Sequence, residues 1–202
     1  MNPKPIFRHA MKHLWVFLLI CALQPAFAQQ RHSHYDPSKK YEKAQELFTK
    51  QQYSAARKQF RDFLQEEPDA PINNRINAEY YSAISGAELY HPDAEAEIVA
   101  FIDRHPESLK AKTAWFEAAR VLYRQKKFKK AAAYFEKTDL RYLNNEEIAE
   151  YYFKTGYAYF NIEDYNRASK NLSEILKVES RYKTAAVYYY AHVAYQNNNL
   201  NT

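Results

Sequence analysis

The chain has 202 residues, of which 26% are charged and 16% aromatic, and it contains just two glycines. Phosphate-binding loops, nucleophile elbows and tight hairpins need glycine where the backbone takes a positive φ or approaches a ligand closely, so two isolated glycines exclude the common nucleotide-binding and hydrolase motifs. The net charge is +5, and the basic cluster at residues 126–130 is too short to form a nucleic-acid-binding face. We therefore expect no nucleic-acid partner.

The first 28 residues have the order of a secretory signal peptide. Lys4, Arg8 and Lys12 precede an apolar run at residues 14–23, and an Ala-Phe-Ala cleavage site follows at residues 26–28. We predict cleavage after this site and a periplasmic or outer-membrane-associated protein. The apolar run has about ten residues, whereas a spanning helix needs about 20, so a retained anchor is the less favoured alternative and we expect no membrane span after cleavage.

The residues around this signal carry smaller expectations. Met11 would also begin a complete signal, so translation could start there. Cys21 is the sole cysteine and follows an isoleucine, which disfavours lipoprotein processing and leaves no disulfide in the mature chain. Residues 29–37 are polar and predict a disordered leader. Its His32 and His34 are too few to hold a metal, so we expect no metal and no cofactor.

A helix-turn-helix unit of about 35 residues recurs along the rest of the chain. The sequence Ala-Glu-Tyr-Tyr occurs at residues 78–81 and again at 149–152, 71 residues later. At each predicted turn a large apolar residue follows a polar one, and we expect that residue to begin the second helix of its unit. These residues are Tyr53, Phe128, Tyr165 and Leu200.

A small residue and a large apolar residue recur together in the predicted helices. The small residue lets two helices approach closely, and a large residue four positions later lies on the same face and fills the space between them. The second helices supply Ala56 with Phe60, Ala131 with Phe135, and Ala168 with Leu172; the first helices supply Ala44, Trp115 with Ala119, and Gly156.

The period and these positions resemble the tetratricopeptide-repeat (TPR) family over residues 38–202, most closely in the third and fourth units. The resemblance implies an all-α, right-handed superhelical solenoid of antiparallel helix pairs, with about four units and the first helix of a fifth. The implied helices are Ser38–Lys50, Ser54–Glu66, Ile76–Leu89, Ala94–Arg104, Ser108–Gln125, Lys129–Thr138, Glu146–Asn161, Tyr165–Lys177 and Thr184–Gln196.

The second unit departs from the family pattern, because the short segment His91-Pro92-Asp93 replaces its longer turn and leaves the register of its first helix open by about one residue. The fifth unit has a first helix alone. We therefore expect a longer array in the native protein, and expect residues 184–202 of this chain to fray or to self-associate through their uncovered apolar face.

The first helices of a TPR array line a concave groove, and the family register implies which side chains face it. Most of these implied groove residues are aromatic or arginine. Aromatic rings give large contact area at low entropic cost and arginine pairs with carboxylates, so such a groove suits an extended or helical peptide. The alternative is that many of these rings only pack between repeats. We expect Arg120 and Tyr157 to contact a partner rather than to stabilise the fold. The implied groove residues are Tyr41, Gln45, Phe48, Phe116, Arg120, Tyr123, Arg124, Phe153, Tyr157, Phe160, Asn161, Tyr188, His192 and Tyr195.

No residue pattern supports catalysis. Glu146 and Glu147 are adjacent, as are Glu66 and Glu67, and adjacent residues of a helix do not face each other. Glu146 and Glu147 are better explained as first-turn charges that interact favourably with the helix dipole. We expect no catalytic residue and no enzyme activity.

Two functions remain open. The first is an exported TPR scaffold that binds protein or peptide partners in the cell envelope. The second is the ligand-binding or sensor arm of a larger protein that continues past Thr202, with an aromatic groove that stacks on peptidoglycan or another glycan.

Overall fold

The computed structural model describes residues 36–200. Within that range the chain is all-α, as predicted, with nine α-helices, one short 3-10 helix and no strand. The predicted signal peptide and residues 29–35 of the predicted leader lie outside the described residues. The helices are α1 (Pro37–Thr49), α2 (Tyr53–Glu66), α3 (Ile72–Glu88), α4 (Ala94–Arg104), α5 (Leu109–Arg124), α6 (Phe128–Phe135), α7 (Asn145–Asn161), α8 (Tyr165–Leu176) and α9 (Lys183–Leu200), with the 3-10 helix at Leu140–Tyr142.

Most helix ends agree with their predicted positions to within one residue, but α3 begins at Ile72 instead of Ile76. Its first turn is anchored by Arg75, whose Nη1 donates hydrogen bonds to the carbonyl oxygens of Leu64, at 3.2 Å, and Glu67, at 2.7 Å. The added turn is polar and largely exposed. No apolar period marked it, so the sequence pattern missed it.

Two helix ends also differ from the prediction. Helix α6 stops at Phe135, three residues before the predicted end, because the N–H groups of Lys137 and Thr138 bond to carbonyls three residues back and tighten the chain into a turn. Helix α9 continues through Leu200, the residue predicted to begin another helix.

Side chains cap three of the helices. At the start of α7, Asn144 accepts a hydrogen bond from the N–H of Glu147 at 3.0 Å, and the Glu147 carboxylate accepts one from the N–H of Asn144 at 2.8 Å. This capping box satisfies two otherwise unpaired donors. Ser108 and Asp164 similarly accept backbone hydrogen bonds at the starts of α5 and α8. The sequence analysis assigned Glu147 a dipole role alone and missed the box.

The nine helices stack in order along the chain. Each helix packs against the next one, and the first helices of successive units, α1, α3, α5, α7 and α9, also contact one another. We call the surface lined by these five helices the first-helix face. The second helices, α2, α4, α6 and α8, lie on the other side. This is the arrangement of a helical repeat, in which each unit buries its apolar face against its neighbours.

The turn between the two helices of each unit has the same geometry four times. Gln51 has a φ of 57°, and the N–H groups of Gln51 and Gln52 donate to the carbonyls of Phe48 and Leu47. This bonding pattern is the Schellman motif that ends many helices. The residues with positive φ are Gln51, Tyr90, Lys126 and Glu163, at intervals of 39, 36 and 37 residues.

The recurring small and large residues lie in the core. Gly156 lies at a tight crossing, because an added Cβ would lie 2.7 Å from Cγ of Leu172. Trp115 is half-buried, with its ring 4.9 Å from that of Tyr134. Eight of the recurring residues have no exposed surface, namely Ala44, Ala56, Phe60, Ala119, Ala131, Phe135, Ala168 and Leu172.

The second unit has a different register around its turn. Ala83 lies seven residues before Tyr90, the spacing that Gly156 has from Glu163, and is buried. Ala94 and Ile98 form the buried pair of α4, one residue nearer the turn than the pairs of the other units. Gly86 occupies the position that Leu47, Leu122 and Tyr159 hold in the other units. The second unit is therefore shortened by one residue and lacks a large side chain at this point.

The literal repeat Ala-Glu-Tyr-Tyr is not a structural repeat. Tyr80 lies ten residues before the turn residue Tyr90, whereas Tyr151 lies 12 residues before Glu163. Because each helical residue adds about 100° of rotation, an offset of two residues moves a side chain about 200° around the helix. The two identical segments therefore face different surroundings.

Candidate partner-binding site

Half-buried aromatic rings from α5, α7 and α9, together with that of Tyr182 just before α9, are grouped on the first-helix face. Tyr157 lies at their centre, with its ring centroid 5.8 Å from that of Tyr123 and 4.8 Å from that of Tyr189. The ring of Phe153 stacks on that of Tyr182 at 5.2 Å. Such contacts hold each ring in place. We call this set the ring cluster, comprising Tyr123, Phe153, Tyr157, Phe160, Tyr182 and Tyr189.

A more exposed row of side chains borders the ring cluster on α9. Tyr188 is 65% exposed and Tyr195 is 64% exposed. His192 lies between them, with its ring 5.1 Å from that of Phe160. The spacing of four and three residues places the three side chains on one side of the helix. We call Tyr188, His192 and Tyr195 the α9 stripe.

Arg120 lies among three carboxylates on the same face. Its Nη1 is 2.9 Å from Glu117 and 3.9 Å from Glu88, and its Nε is 2.9 Å from Glu150. These carboxylates come from α3, α5 and α7, so one guanidinium connects three successive first helices. Burial opposes the charged form of Arg120, but the three carboxylates raise its pKa above the usual range.

The two carboxylates nearest Arg120 have opposite pKa shifts. Burial raises the pKa of Glu117, and the neighbouring Arg120 only partly offsets this effect. Burial also acts to raise the pKa of Glu150, but the hydrogen bond from Lys154 and the charges of Arg120 and Lys154 lower it overall. Burial lowers the pKa of Lys154 itself. Glu117, Glu150, Arg120 and Lys154 therefore form one network in which the charged side chains interact mainly with one another.

Two predicted groove residues are in the core instead. Tyr41 is 6% exposed and packs against Phe63, and Phe116 is 1% exposed and packs against Phe135. The family register implied that they face the groove, but the second helix of the same unit covers each ring. Neither residue can contact a partner.

Two other predicted groove residues have partners within the fold. The ring of Phe48 lies 4.8 Å from that of Tyr81. Arg124 donates a hydrogen bond to the carbonyl of Ala87 at 2.5 Å and lies over the ring of Tyr90 at 4.7 Å. Arg124 therefore fixes the turn after α3.

Arg120 and Tyr157 were expected not to stabilise the fold, and that part of the prediction was wrong. Arg120 is engaged by Glu117 and Glu150, and the Tyr157 ring contacts rings on α5, α6, α7 and α9. Both side chains stabilise the fold, so the packing alternative describes them better. Tyr188 and Tyr195 are the most exposed of the predicted aromatic groove residues, and contact of the α9 stripe with a partner remains a prediction.

Several members of this site were not predicted. Tyr182 is the residue before α9, and Tyr189 lies seven residues later on α9, about two helical turns away. Glu150 and Lys154 are four residues apart, the spacing of a helical ion pair. Both signals were present in the sequence. Glu117 also carried a local signal, because Arg120 follows it by three residues on the same helix.

Among residues 36–200, no three histidine, cysteine, aspartate or glutamate side chains are grouped so that they could hold a metal ion. None of the helices there is long and apolar enough to cross a membrane.

Comparisons with known proteins identify one repeat. Residues 91–140, which span α4 to the start of the 3-10 helix, match the sequence model of the family described as tetratricopeptide repeat. A similar solved structure is a thermophilic TPR protein from Thermus thermophilus, with 21% identity, coverage of 71% of this chain and 75% of that chain, and a TM-score of 0.48. No curated protein matches the chain. Residues 91–140 are therefore similar to a tetratricopeptide repeat, and they lie within an all-α stack of helix pairs.

Proposed function

We propose that this chain is an exported TPR interaction scaffold that binds a peptide segment of a protein partner in the cell envelope. Tetratricopeptide repeats form extended binding surfaces from stacked helices. The observation that carries the proposal is the α9 stripe beside the ring cluster. Exposed tyrosine rings of the α9 stripe lie there next to the packed rings of the ring cluster.

The physical case rests on the difference in exposure between the two groups. Each ring of the ring cluster contacts others, so this surface is ordered before a partner arrives and little entropy is lost on binding. Tyr188 and Tyr195 present most of their rings to solvent. A tyrosine supplies a large apolar area and a hydroxyl at low entropic cost, which is why tyrosines are common at binding hot spots.

Two parts of the proposal rest on the sequence pattern. The order of basic, apolar and small residues within residues 1–28 supports export and cleavage after Ala28. The TPR period supports a right-handed superhelix with the first-helix face on its concave side. N-terminal sequencing of the protein from an envelope fraction should begin at Gln29, and an intact Met1 or Met11 terminus in the cytoplasm would contradict export.

A photo-crosslinking amino acid at position 188 or 195 tests the binding face in living cells. We expect either position to trap a defined protein. Tyr142, on the 3-10 helix and 43% exposed, is the matched control position and should trap much less. The trapped protein would then be purified, and a Tyr188→Ala, Tyr195→Ala double variant should bind it at least about tenfold more weakly.

The same chain also tests the glycan alternative. Co-sedimentation with purified peptidoglycan should be weak and should not change in the double variant. Strong co-sedimentation that is lost with these two tyrosines, together with no specific protein crosslink, would replace the peptide proposal by glycan binding. Equal crosslinking at positions 142 and 188 would reject the α9 stripe as a binding surface.

A further inference from the structure

An open cleft of about 340 Å³ lies between α2, α3 and α4, in the irregular second unit. Three arginines line it, one from each helix: Arg61, Arg75 and Arg104. Two carboxylates, Glu79 and Glu97, line it as well. We call it the arginine cleft. None of these residues belongs to the ring cluster or the α9 stripe.

Each carboxylate of the cleft contacts two basic side chains. Glu97 Oε1 lies 2.6 Å from Nη2 of Arg57 and 3.0 Å from Nη2 of Arg61. Glu79 Oε2 pairs with Arg104 and lies 3.0 Å from Nε2 of His105. Carboxylate charge is therefore divided among more guanidinium groups than it can neutralise.

Arg75 adds a charge without a carboxylate. Its Nη1 donates to two backbone carbonyls, and within residues 36–200 it forms no ion pair. Arg57 pairs with the cleft residue Glu97 from outside the lining. Counted with Arg61, Arg75 and Arg104, it makes four guanidinium groups against two carboxylates, which leaves a formal excess of two positive charges. Walls of low dielectric strengthen the resulting potential relative to that of an open surface.

Within the described part of the chain, some N–H groups of the arginines at the cleft have no hydrogen-bond acceptor. An arginine carries five N–H donors in a planar fork that matches carboxylate and phosphate oxygens. Arg57 is only 7% exposed, and its Nε has no hydrogen-bond partner. The side chains of Arg61 and Arg104 are 58% and 56% exposed, so a ligand can reach them.

Gly86 explains how the buried arginine fits. An added Cβ on Gly86 would lie 3.2 Å from Cζ of Arg57 and 3.3 Å from Oε2 of Glu97. In the other units a large apolar residue occupies this position. Glycine here makes room for a guanidinium-carboxylate pair, so the charged lining of the cleft follows from the irregular register of the second unit.

We propose that the arginine cleft binds an oxyanion, as the phosphate or carboxylate group of a ligand. Arg61 and Arg104 contact the oxygens directly from the two open sides. Arg57 and Arg75 supply positive charge from beneath. Glu79 and Glu97 compete with the ligand for these arginines and therefore set a moderate affinity.

Isothermal titration calorimetry of the purified protein at about 0.15 M salt, where long-range attraction is screened, tests the cleft with inorganic phosphate and with succinate as separate probes. We expect saturable binding of at least one probe, and the two probes distinguish phosphate from carboxylate chemistry. An Arg61→Gln, Arg104→Gln double variant should lose at least about tenfold in affinity, since charge-assisted hydrogen bonds are among the strong ones. Glu97→Gln should bind several-fold more tightly, because it releases two arginines.

The matched control is the double variant Arg141→Gln, Lys177→Gln, which loses the same charge at exposed sites elsewhere. It should bind within about twofold of the unmodified protein, as screening weakens distant charges. Circular dichroism would verify that all variants fold. The proposal is overturned if neither probe binds saturably, if the control loses as much affinity as the cleft variant, or if Glu97→Gln weakens binding.

Discussion

The second and fourth units contain the same four residues, Ala-Glu-Tyr-Tyr, and use them on different sides of the array. Glu79 in the second unit pairs with Arg104 in the arginine cleft, whereas Glu150 in the fourth unit pairs with Arg120 and Lys154 on the first-helix face. The following turn is two residues farther away in the fourth unit, which rotates the segment about 200° relative to its counterpart. Position relative to the turn, and not local identity, decides what a residue contacts.

The two units also use their glycines differently. Gly156 receives the aliphatic side chain of Leu172, while Gly86 receives the charged pair of Arg57 and Glu97. The glycine of the fourth unit therefore packs against an apolar side chain, and that of the second unit packs against charged ones. A repeat can keep its helices and lose its packing pattern at a single position.

The largest effect should come from the crossing that both units share. Ala94→Phe and Ala168→Phe each place a large ring at a fully buried alanine and should each lower the free energy of unfolding by about 3 kcal/mol. Ala96→Phe, at an exposed position of α4, is the control and should change little. Denaturant unfolding followed by circular dichroism measures all three, and tolerance of Ala94→Phe alone would show that the second unit lacks this crossing.

The identical glutamates should respond unequally to loss of charge. Glu150→Gln removes a buried carboxylate from Arg120 and Lys154 and should cost about 2 kcal/mol at neutral pH. Glu79→Gln removes a partner of the half-exposed Arg104 and should cost less than about 1 kcal/mol. Equal costs would contradict the assignment of the two segments to different surroundings.

The pH dependence sharpens this prediction. The pKa of Glu150 is lowered in the folded protein, so its contribution is present above the unfolded pKa and is lost as pH falls through the folded value. The difference in stability between the unmodified protein and Glu150→Gln should therefore be largest near pH 7 and shrink below about pH 4. Thermal melts across this range would show it.

Replacing each of the two glycines by alanine should change the free energy of unfolding by a smaller amount. Gly156→Ala brings a Cβ to 2.7 Å from Leu172 Cγ and should cost about 1–2 kcal/mol even after the gain in helix propensity. Gly86→Ala meets the movable end of Arg57 at 3.2 Å and should be close to neutral. Denaturant unfolding would measure both, and a larger loss at Gly86 would mean that Arg57 cannot shift.

The smallest effect should come from the turns. Glu163 and Tyr90 have positive φ, so Glu163→Gly should gain up to about 1 kcal/mol by relieving backbone strain. Tyr90→Gly should gain less, because it also removes the ring beneath Arg124. Thermal melts would compare the two, and destabilisation by Glu163→Gly would contradict the Schellman geometry.

Some features of the candidate site followed from sequence and others did not. Tyr188, His192 and Tyr195 lie on one side of α9, because that placement depends on helical period alone, and their role as groove residues remains a prediction. Tyr41 and Phe116 were placed wrongly, because their exposure depends on which neighbouring helix covers them. Arg120 was assigned to a partner because two of its three carboxylates, those of Glu88 and Glu150, come from helices distant in sequence.

The sequence by itself determined the all-α fold, the helix order and most helix ends, since these follow from local periodicity, few breakers and recurring alanines. It also determined the pairing of Ala56, Ala131 and Ala168 with large residues four positions later. The tertiary structure alone decided the one-residue shortening of the second unit and the different surroundings of Glu79 and Glu150. It also decided the meeting of three arginines from three helices in one cleft. Those features depend on turn geometry and on contacts between helices 25–40 residues apart in sequence, which no local pattern encodes.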